Sequence, residues 1–275
     1  MFIVTGSSGE LGSRVVRALC ERVGVERVVA TCREPERATG ARALGVQVRR
    51  ADYREPDTLR EAFDGGSVLL LISSDAARRG ENPVAQHATA IEAARAVGLG
   101  RVVYTSHVAA DERSAFPPMW THHATERLLA ESGLRWTALR NGFYAASGAT
   151  FVARALESGV LHAPADGPVA WTEHDALAEG AAAVVSGVET FEGPTPPLVG
   201  PRSETLQELA SRLAGRPIER VIVPDDEFRT RLLESGMPSP VVDITMGFYE
   251  ASRAGEFEAS DPTLQRLGTI PTDAR

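Results

Sequence analysis

The sequence predicts an α/β protein, a doubly wound parallel sheet with a smaller C-terminal lobe, and three observations carry that prediction. The first fourteen residues, MFIVTGSSGELGSR, run from a short apolar strand through a glycine-rich turn into an amphipathic stretch. Apolar runs suited to central strands then alternate with segments of helical periodicity as far as residue 144. Beyond that point the alternation loosens, and prolines at 164–168, 194–201 and 238–240 punctuate shorter elements.

The opening unit sets the function class. Phe2-Ile3-Val4 is the strand, and Gly6, Gly9 and Gly12 frame the turn. In this pattern Gly6 permits the sharp turn, Gly9 lets backbone amides approach a pyrophosphate, and Gly12 lets the helix lie close. From Leu11 the apolar positions Val15, Val16, Leu19 and Val23 recur at helical spacing. The positive end of that helix therefore faces the loop, where an anion belongs. Gly6, Ser7, Ser8, Gly9, Glu10, Leu11 and Gly12 are the expected phosphate cradle of a Rossmann-like fold.

The second strand is expected at 27–31 and ends at Cys32-Arg33-Glu34. That is the ribose-reading position, 21 residues after Gly12. An acidic residue there accepts from a 2′-hydroxyl, whereas an arginine suits a 2′-phosphate, so Arg33 favours NADP over NAD. A third strand at 46–50 leads to Asp52-Tyr53, where Asp52 is placed to accept from an adenine amino group. A short helix over 57–63 precedes the unbroken apolar run 68–72, which reads as a central parallel strand ending at Ser73-Ser74. A helix over 84–97 leads to a fifth strand at 101–105 that ends at Ser106-His107. Ligands of such sheets lie beyond the carboxyl ends of the strands, so Ser73, Ser74, Thr105 and Ser106 are expected to face the cofactor, NADPH. A polar, proline-bearing loop, a helix over 120–132 and a sixth strand at 135–139 follow, ended by Arg140-Asn141-Gly142-Phe143-Tyr144. The boundary falls near 145: residues 1–145 form the dinucleotide-binding domain, and 146–275 form mostly the smaller substrate lobe. A helix over 174–186 and a strand near Leu198 are expected to return to the main sheet.

Composition narrows the partners. Formal charge is −8 over 275 residues, without the basic footprint of a nucleic-acid binder. No apolar stretch reaches the roughly 20 residues of a membrane span. The expected setting is the cytoplasm, with a small-molecule partner and a homodimer as one assembly open to the chain. Cys20 and Cys32 lack metal-ligand spacing and read as reduced structural thiols, so no metal is expected. All 29 basic residues are arginine. A catalytic lysine is therefore excluded, and arginine does not release its proton near neutral pH.

Several stretches together resemble the NmrA-like branch of the atypical short-chain dehydrogenase/reductase superfamily, and within it the bacterial NAD(P)H:quinone oxidoreductases of type 2. They are Thr5 to Gly12, Arg33-Glu34-Pro35, Ala51-Asp52-Tyr53, Leu69-Leu70-Leu71-Ile72-Ser73-Ser74, Tyr104-Thr105-Ser106, Leu139-Arg140-Asn141-Gly142-Phe143-Tyr144, and the tail from Gly255 to Gly268. The resemblance implies NADPH on the glycine loop, Arg33 at the 2′-phosphate, Asn141 at the cofactor, and a quinone or related aromatic carbonyl acceptor in a cleft formed with the C-terminal lobe. One departure matters. Most short-chain dehydrogenases carry a Tyr-x-x-x-Lys pair after the fifth strand, whereas this helix reads Thr121-His122-His123-Ala124-Thr125-Glu126-Arg127.

Arg127 stands where relatives carry lysine, with His123 four residues earlier and His122 where the related quinone reductases have histidine. His122, His123, Arg127 and Tyr144 are thus the candidate catalytic residues, with Arg127 holding a ribose and one histidine giving a proton. Phe143, Tyr144, Trp171, Met246 and Phe248 are candidates for the acceptor pocket. Three readings remain open: a hydride-transferring oxidoreductase, a non-catalytic NADP(H) redox sensor, and a tailoring reductase of secondary metabolism.

Overall fold

The computed structural model describes residues 1–269. Its main sheet holds seven parallel strands, and their chain order explains where a ligand can lie. In order they are β1 (Phe2–Val4), β2 (Val28–Cys32), β3 (Gln47–Arg50), β4 (Val68–Leu71), β5 (Arg101–His107), β6 (Arg135–Asn141) and, after three strands outside this sheet, β10 (Gly193–Pro194). Across the sheet they run β10-β6-β5-β4-β1-β2-β3. The direction of winding reverses between β1 and β4, which opens a crevice at the carboxyl ends of those two strands.

Each central strand is buried on both faces, which is why it reads as an unbroken apolar run rather than an alternating one. Phe2, Val4, Ala30, Leu70, Val103 and Leu139 face one layer of helices, while Ile3, Val29, Leu69, Leu71, Val102 and Ala138 face the other. The first layer contains α1 (Glu10–Val23), α7 (His174–Ser186) and α11 (Thr263–Thr269). The second contains α3 (Pro56–Phe63), α4 (Pro83–Ala96) and α5 (Pro118–Glu131). Prolines at the first turns of α3, α4 and α5 cost no hydrogen bond there, and Asn82 caps α4 by accepting from the Ala85 amide. The short α2 (Thr39–Ala43) connects β2 to β3.

A third core lies under the remaining elements. It contains α6 (Ala145–Ser158), the parallel pair β8 (Val160–Ala163) and β11 (Glu219–Ile222), α8 (Leu206–Ala214), α9 (Asp225–Glu234) and α10 (Ser239–Arg253). Aromatic rings fill it: Phe143, Trp171, Phe248 and Phe257 form edge-on, tilted and stacked pairs with centroids 5.2 to 6.1 Å apart. Two further strands, β7 (Phe143–Tyr144) and β9 (Trp171–Thr172), pair in parallel.

The expected return to the main sheet takes a particular form. Helix α7 lies along α1, joined by Arg22–Glu179 at 2.9 Å and Arg14–Asp175 at 2.8 Å. The strand expected near Leu198 is reduced to the two residues of β10 and an isolated bridge between Leu198 and Asn141. Prolines at 194, 196 and 197 remove the ladder donors a longer strand would need. Among the described residues no helix is long and apolar enough to cross a membrane.

Candidate functional site

The crevice at the switch point is a cleft of about 310 Å³ between the ends of β1, β2, β3 and β4. Its floor is the glycine loop. Gly6 turns with φ of 58°, and a Cβ on Gly12 would fall 2.2 Å from the Gly6 carbonyl oxygen. The close approach that Gly12 permits is thus of the helix onto the loop itself. Gly6, Ser8 and Gly9 line the cleft. Ser7 does not, because its amide and hydroxyl both donate to the Thr31 carbonyl at 3.1 Å and tie the loop to β2. Glu10 is turned outward to Arg14, and Leu11 is core. The opening N–H groups of α1 have no intrahelical acceptor, so this end of the cleft suits an anion.

At the opposite end the walls are cationic. Arg33 lines the cleft and makes no hydrogen bond or ion pair among the described residues. Asp52, placed in the sequence at an adenine amino group, is already engaged: its Oδ1 accepts from the Arg54 amide at 2.9 Å and Nε at 3.1 Å, and its Oδ2 from Arg54 Nη2 at 2.7 Å. These contacts hold the Asp52 carboxyl below its usual range, with Arg33 adding to the effect. Tyr53 lines the cleft with its ring, while its hydroxyl lies 2.6 Å from Thr5 Oγ1 and 2.7 Å from the Ile72 carbonyl oxygen. Arg79, paired with Asp75 at 2.8 Å, completes this wall.

The middle of the edge is held by buried hydrogen bonds. Ser73 and Ser74 line the cleft. The Ser73 amide donates to Thr105 Oγ1, and the Ser74 amide donates to His87 Nε2, both at 2.8 Å. An Nε2 that accepts must lack a proton, so His87 carries its hydrogen on Nδ1 and gives it to Thr125 Oγ1 at 2.8 Å. Burial pushes His87 down to about 3, which keeps this tautomer neutral.

Helix α5 is rotated away from the expected register. His123 and Arg127 were to share the catalytic face, yet His123 reaches toward Glu112 at 3.9 Å and Arg127 toward Glu131 at 3.6 Å, on the outer side. The inward face holds Met119, His122, Thr125, Glu126 and Leu129, because burying Met119 and Leu129 fixes the rotation. His122 Nδ1 lies 2.9 Å from the Tyr104 hydroxyl. One turn on, Glu126 accepts from Ser106 Oγ at 2.5 Å and from Arg140 Nη2 at 2.6 Å. The pair four residues apart on the inward face is thus His122 and Glu126, not His123 and Arg127.

Around them the groups that exchange protons are suppressed. Burial and the Arg140 charge push His122 down to about 4. His107 Nδ1 accepts from the Ala109 amide, and burial first, then His122 and Arg140, hold the ring well below the usual histidine range. Burial raises the Tyr104 hydroxyl, and it pushes Tyr144 up to about 12. The Tyr144 ring lies tilted against that of His174, with centroids 4.4 Å apart. Asn141 is buried at the end of β6, and its Oδ1 has no partner among the described residues. Trp171, Met246 and Phe248 are buried, Trp171 and Phe248 within the aromatic core, so of the expected acceptor-pocket residues only Phe143 and Tyr144 are partly open. A second hollow of about 470 Å³ opens instead beyond β5, between residues 108–114, Arg140 and Glu256.

Residues 6–162 match the NAD(P)H-binding family. The chain is also 35% identical to quinone oxidoreductase 2 of Escherichia coli (strain K12) over 277 residues, covering 99% of this chain and 95% of that one. This chain belongs to the NAD(P)H-binding, NmrA-like family. Its fold matches the crystal structure of the E. coli NADPH-dependent quinone oxidoreductase complexed with NADPH, with a TM-score of 0.89 and 31% identity over 98% of this chain and 95% of that one. It also matches the Citrobacter sp. triphenylmethane reductase complexed with NADP(H), at a TM-score of 0.85 and 32% identity over 98% and 96%.

The residues present fit an NAD(P)H-binding chain. The glycine loop leaves backbone exposed at a helix start, and Arg33, at the ribose-reading strand end, makes no hydrogen bond or ion pair among the described residues. Sequence reasoning missed Arg54 and Arg79 on the cleft wall, His87 beneath Ser74, Glu126 on α5, and His174 against Tyr144. Glu126 alone had a signal, its four-residue spacing from His122.

The buried histidines have a measurable signature. His87 and His122 are neutral in the fold and protonate more readily when unfolded. Their contribution is therefore fully present above pH ~6.5 and is lost as pH falls toward their folded values, at up to about 1.4 kcal/mol per pH unit each. Histidine NMR titration should show both rings neutral at pH ~5.5. A midpoint near 6.5 for either would contradict the burial described here.

Proposed function

We propose that this chain is an NADPH-dependent oxidoreductase of the short-chain dehydrogenase/reductase type, passing hydride to a quinone or similar flat conjugated carbonyl acceptor. The observation that carries this reading is that, among the described residues, the groups at the carboxyl ends of β5 and β6 include no ready proton donor. His122 and His107 are neutral near pH 7, Tyr104 and Tyr144 are weakened acids, and the Glu126 carboxylate is engaged by Ser106 and Arg140. A saturated ketone reduced by hydride becomes an alkoxide that needs a proton at once. A quinone becomes a resonance-stabilised hydroquinone anion that takes its proton from water. Such chemistry asks the protein mainly to hold two flat rings together and exclude water.

In this reading Gly6, Ser8 and Gly9 hold the pyrophosphate, Arg33 the 2′-phosphate, and Ser73, Ser74 and Asn141 line the path toward the nicotinamide. Thr105 and Ser106 act through the hydrogen bonds they give and accept rather than by direct contact. NADPH, when bound, supplies the hydride. The acceptor occupies the hollow between residues 108–114 and Glu256. Support comes from the full-length likeness to enzymes named for quinone and triphenylmethane reduction. An NADP(H) sensor would also tolerate a missing proton donor, so turnover is the discriminating measurement.

Two outcomes test this reading. NADPH oxidation should be rapid with benzoquinones and naphthoquinones and undetectable with cyclohexanone, and His122→Phe should keep quinone turnover within about tenfold. A loss of about 10² to 10⁴ would make His122 a proton donor, and tight NADPH binding without turnover of any acceptor would leave a sensor. Arg33→Asp should weaken NADPH by about 10- to 100-fold while changing NADH little, because it removes a charge-assisted contact and adds repulsion. Equal losses would take Arg33 away from the 2′-phosphate.

A further inference from the structure

Arg33 and Arg54 both line the adenosine end of the cleft, yet their guanidinium groups are prepared for different work. Arg33 has N–H edges that make no hydrogen bond or close ion pair among the described residues, and it acts on Asp52 and Asp75 only through its charge. Arg54 is the reverse. Its Nε and Nη2 are forked onto the two oxygens of Asp52 at 3.1 and 2.7 Å, and its Nη1 faces Glu81 at 3.9 Å. The Asp52 side chain is 5% exposed, whereas that of Arg54 is 55% exposed. A buried carboxylate thus grips one edge of an exposed, planar cation and fixes its plane, and the same Asp52 oxygen that takes Nε also takes the Arg54 backbone amide at 2.9 Å.

With its edges occupied and its charge offset, Arg54 is a poor phosphate ligand. What it still offers is a flat face. Guanidinium planes stack on aromatic rings, and a guanidinium held by a carboxylate fork keeps its orientation while doing so. Asp52, for its part, has both oxygens committed and little surface left with which to read an adenine amino group. The Tyr53 hydroxyl is likewise committed to Thr5 and Ile72.

We propose that Arg54, clamped by Asp52, is the stacking platform for the adenine ring, so that the adenine is held through its face while Arg33 takes the 2′-phosphate. This rests on the NADPH reading above and deepens it. Asp52 is then a positioning residue, acting on the cofactor through Arg54.

The test measures Kd by calorimetry for NADPH, NADH and reduced nicotinamide mononucleotide, which has no adenine. Arg54→Ala should weaken NADPH and NADH by the same factor, about five- to thirtyfold, and leave the mononucleotide unchanged. Arg54→Trp, which keeps a flat face without charge, should recover most of the loss. Arg54→Lys, which keeps charge without a plane, should not. A loss confined to NADPH would move Arg54 to the 2′-phosphate, and full affinity in Arg54→Lys or Arg54→Ala would remove the stacking role; each overturns the proposal. If the unmutated protein bound neither NADPH nor NADH, the NADPH reading itself would fail, an outcome distinct from all of these.

Discussion

The site depends on a knot of hydrogen bonds at Thr5, where the crevice opens. Thr5 follows β1, and its amide donates to the Leu70 carbonyl on β4 at 3.0 Å. Its hydroxyl oxygen accepts from the Ile72 amide at 2.8 Å and lies 2.6 Å from the Tyr53 hydroxyl, which follows β3. Three strand ends are thereby joined at the point where the sheet reverses its winding. Buried groups of this kind are costly if left unpaired, so the network has one low-energy arrangement. The glycine loop begins one residue later, and its position relative to Ser73 and Ser74 is set by this knot.

A second constraint follows from the arginine-only chemistry of the chain. Without lysine, the helix after β5 cannot supply the usual partner for a catalytic tyrosine. Its inward face instead carries His122 against Tyr104, and Glu126 between Ser106 and Arg140. These groups satisfy one another inside a low-dielectric region, and burial lowers the His122 ring and raises the Tyr104 hydroxyl, so that neither exchanges a proton readily near neutral pH. In the proposed reading these residues supply orientation rather than an acid. That fits an acceptor whose reduced form is stable as an anion.

Much of the fold was legible in the sequence because its determinants are local. Apolar runs such as 68–72 announce strands buried on both faces, and the spacing of Gly6, Gly9 and Gly12 announces a loop on which a helix must lie close. The place of Arg33 on the cleft wall was legible for the same reason, since its distance from Gly12 is a count along one βαβ unit. The rotation of α5 was not. Two polar residues, Thr125 and Glu126, are buried on its inner face, so its apolar periodicity is blurred and His123 and Arg127 were placed on the wrong side. Nor could the sequence reveal that Asp52 is already engaged by Arg54. The lowering at His122 and His107 comes first from burial, which for His107 involves a segment as distant as Phe257, and then from Arg140, and no local pattern encodes either.

In the proposed reaction hydride moves to the acceptor without a proton from the protein. The most direct test is the single-turnover rate of NADPH oxidation by a water-soluble quinone, followed from pH ~5.5 to ~8.5 with hydride and deuteride at the transferring carbon. The expected rate is isotope-sensitive and flat across that range. A limb governed by one ionisation within it, removed by replacing His122 or His123, would show that a histidine gives the proton and would overturn the proposed reaction.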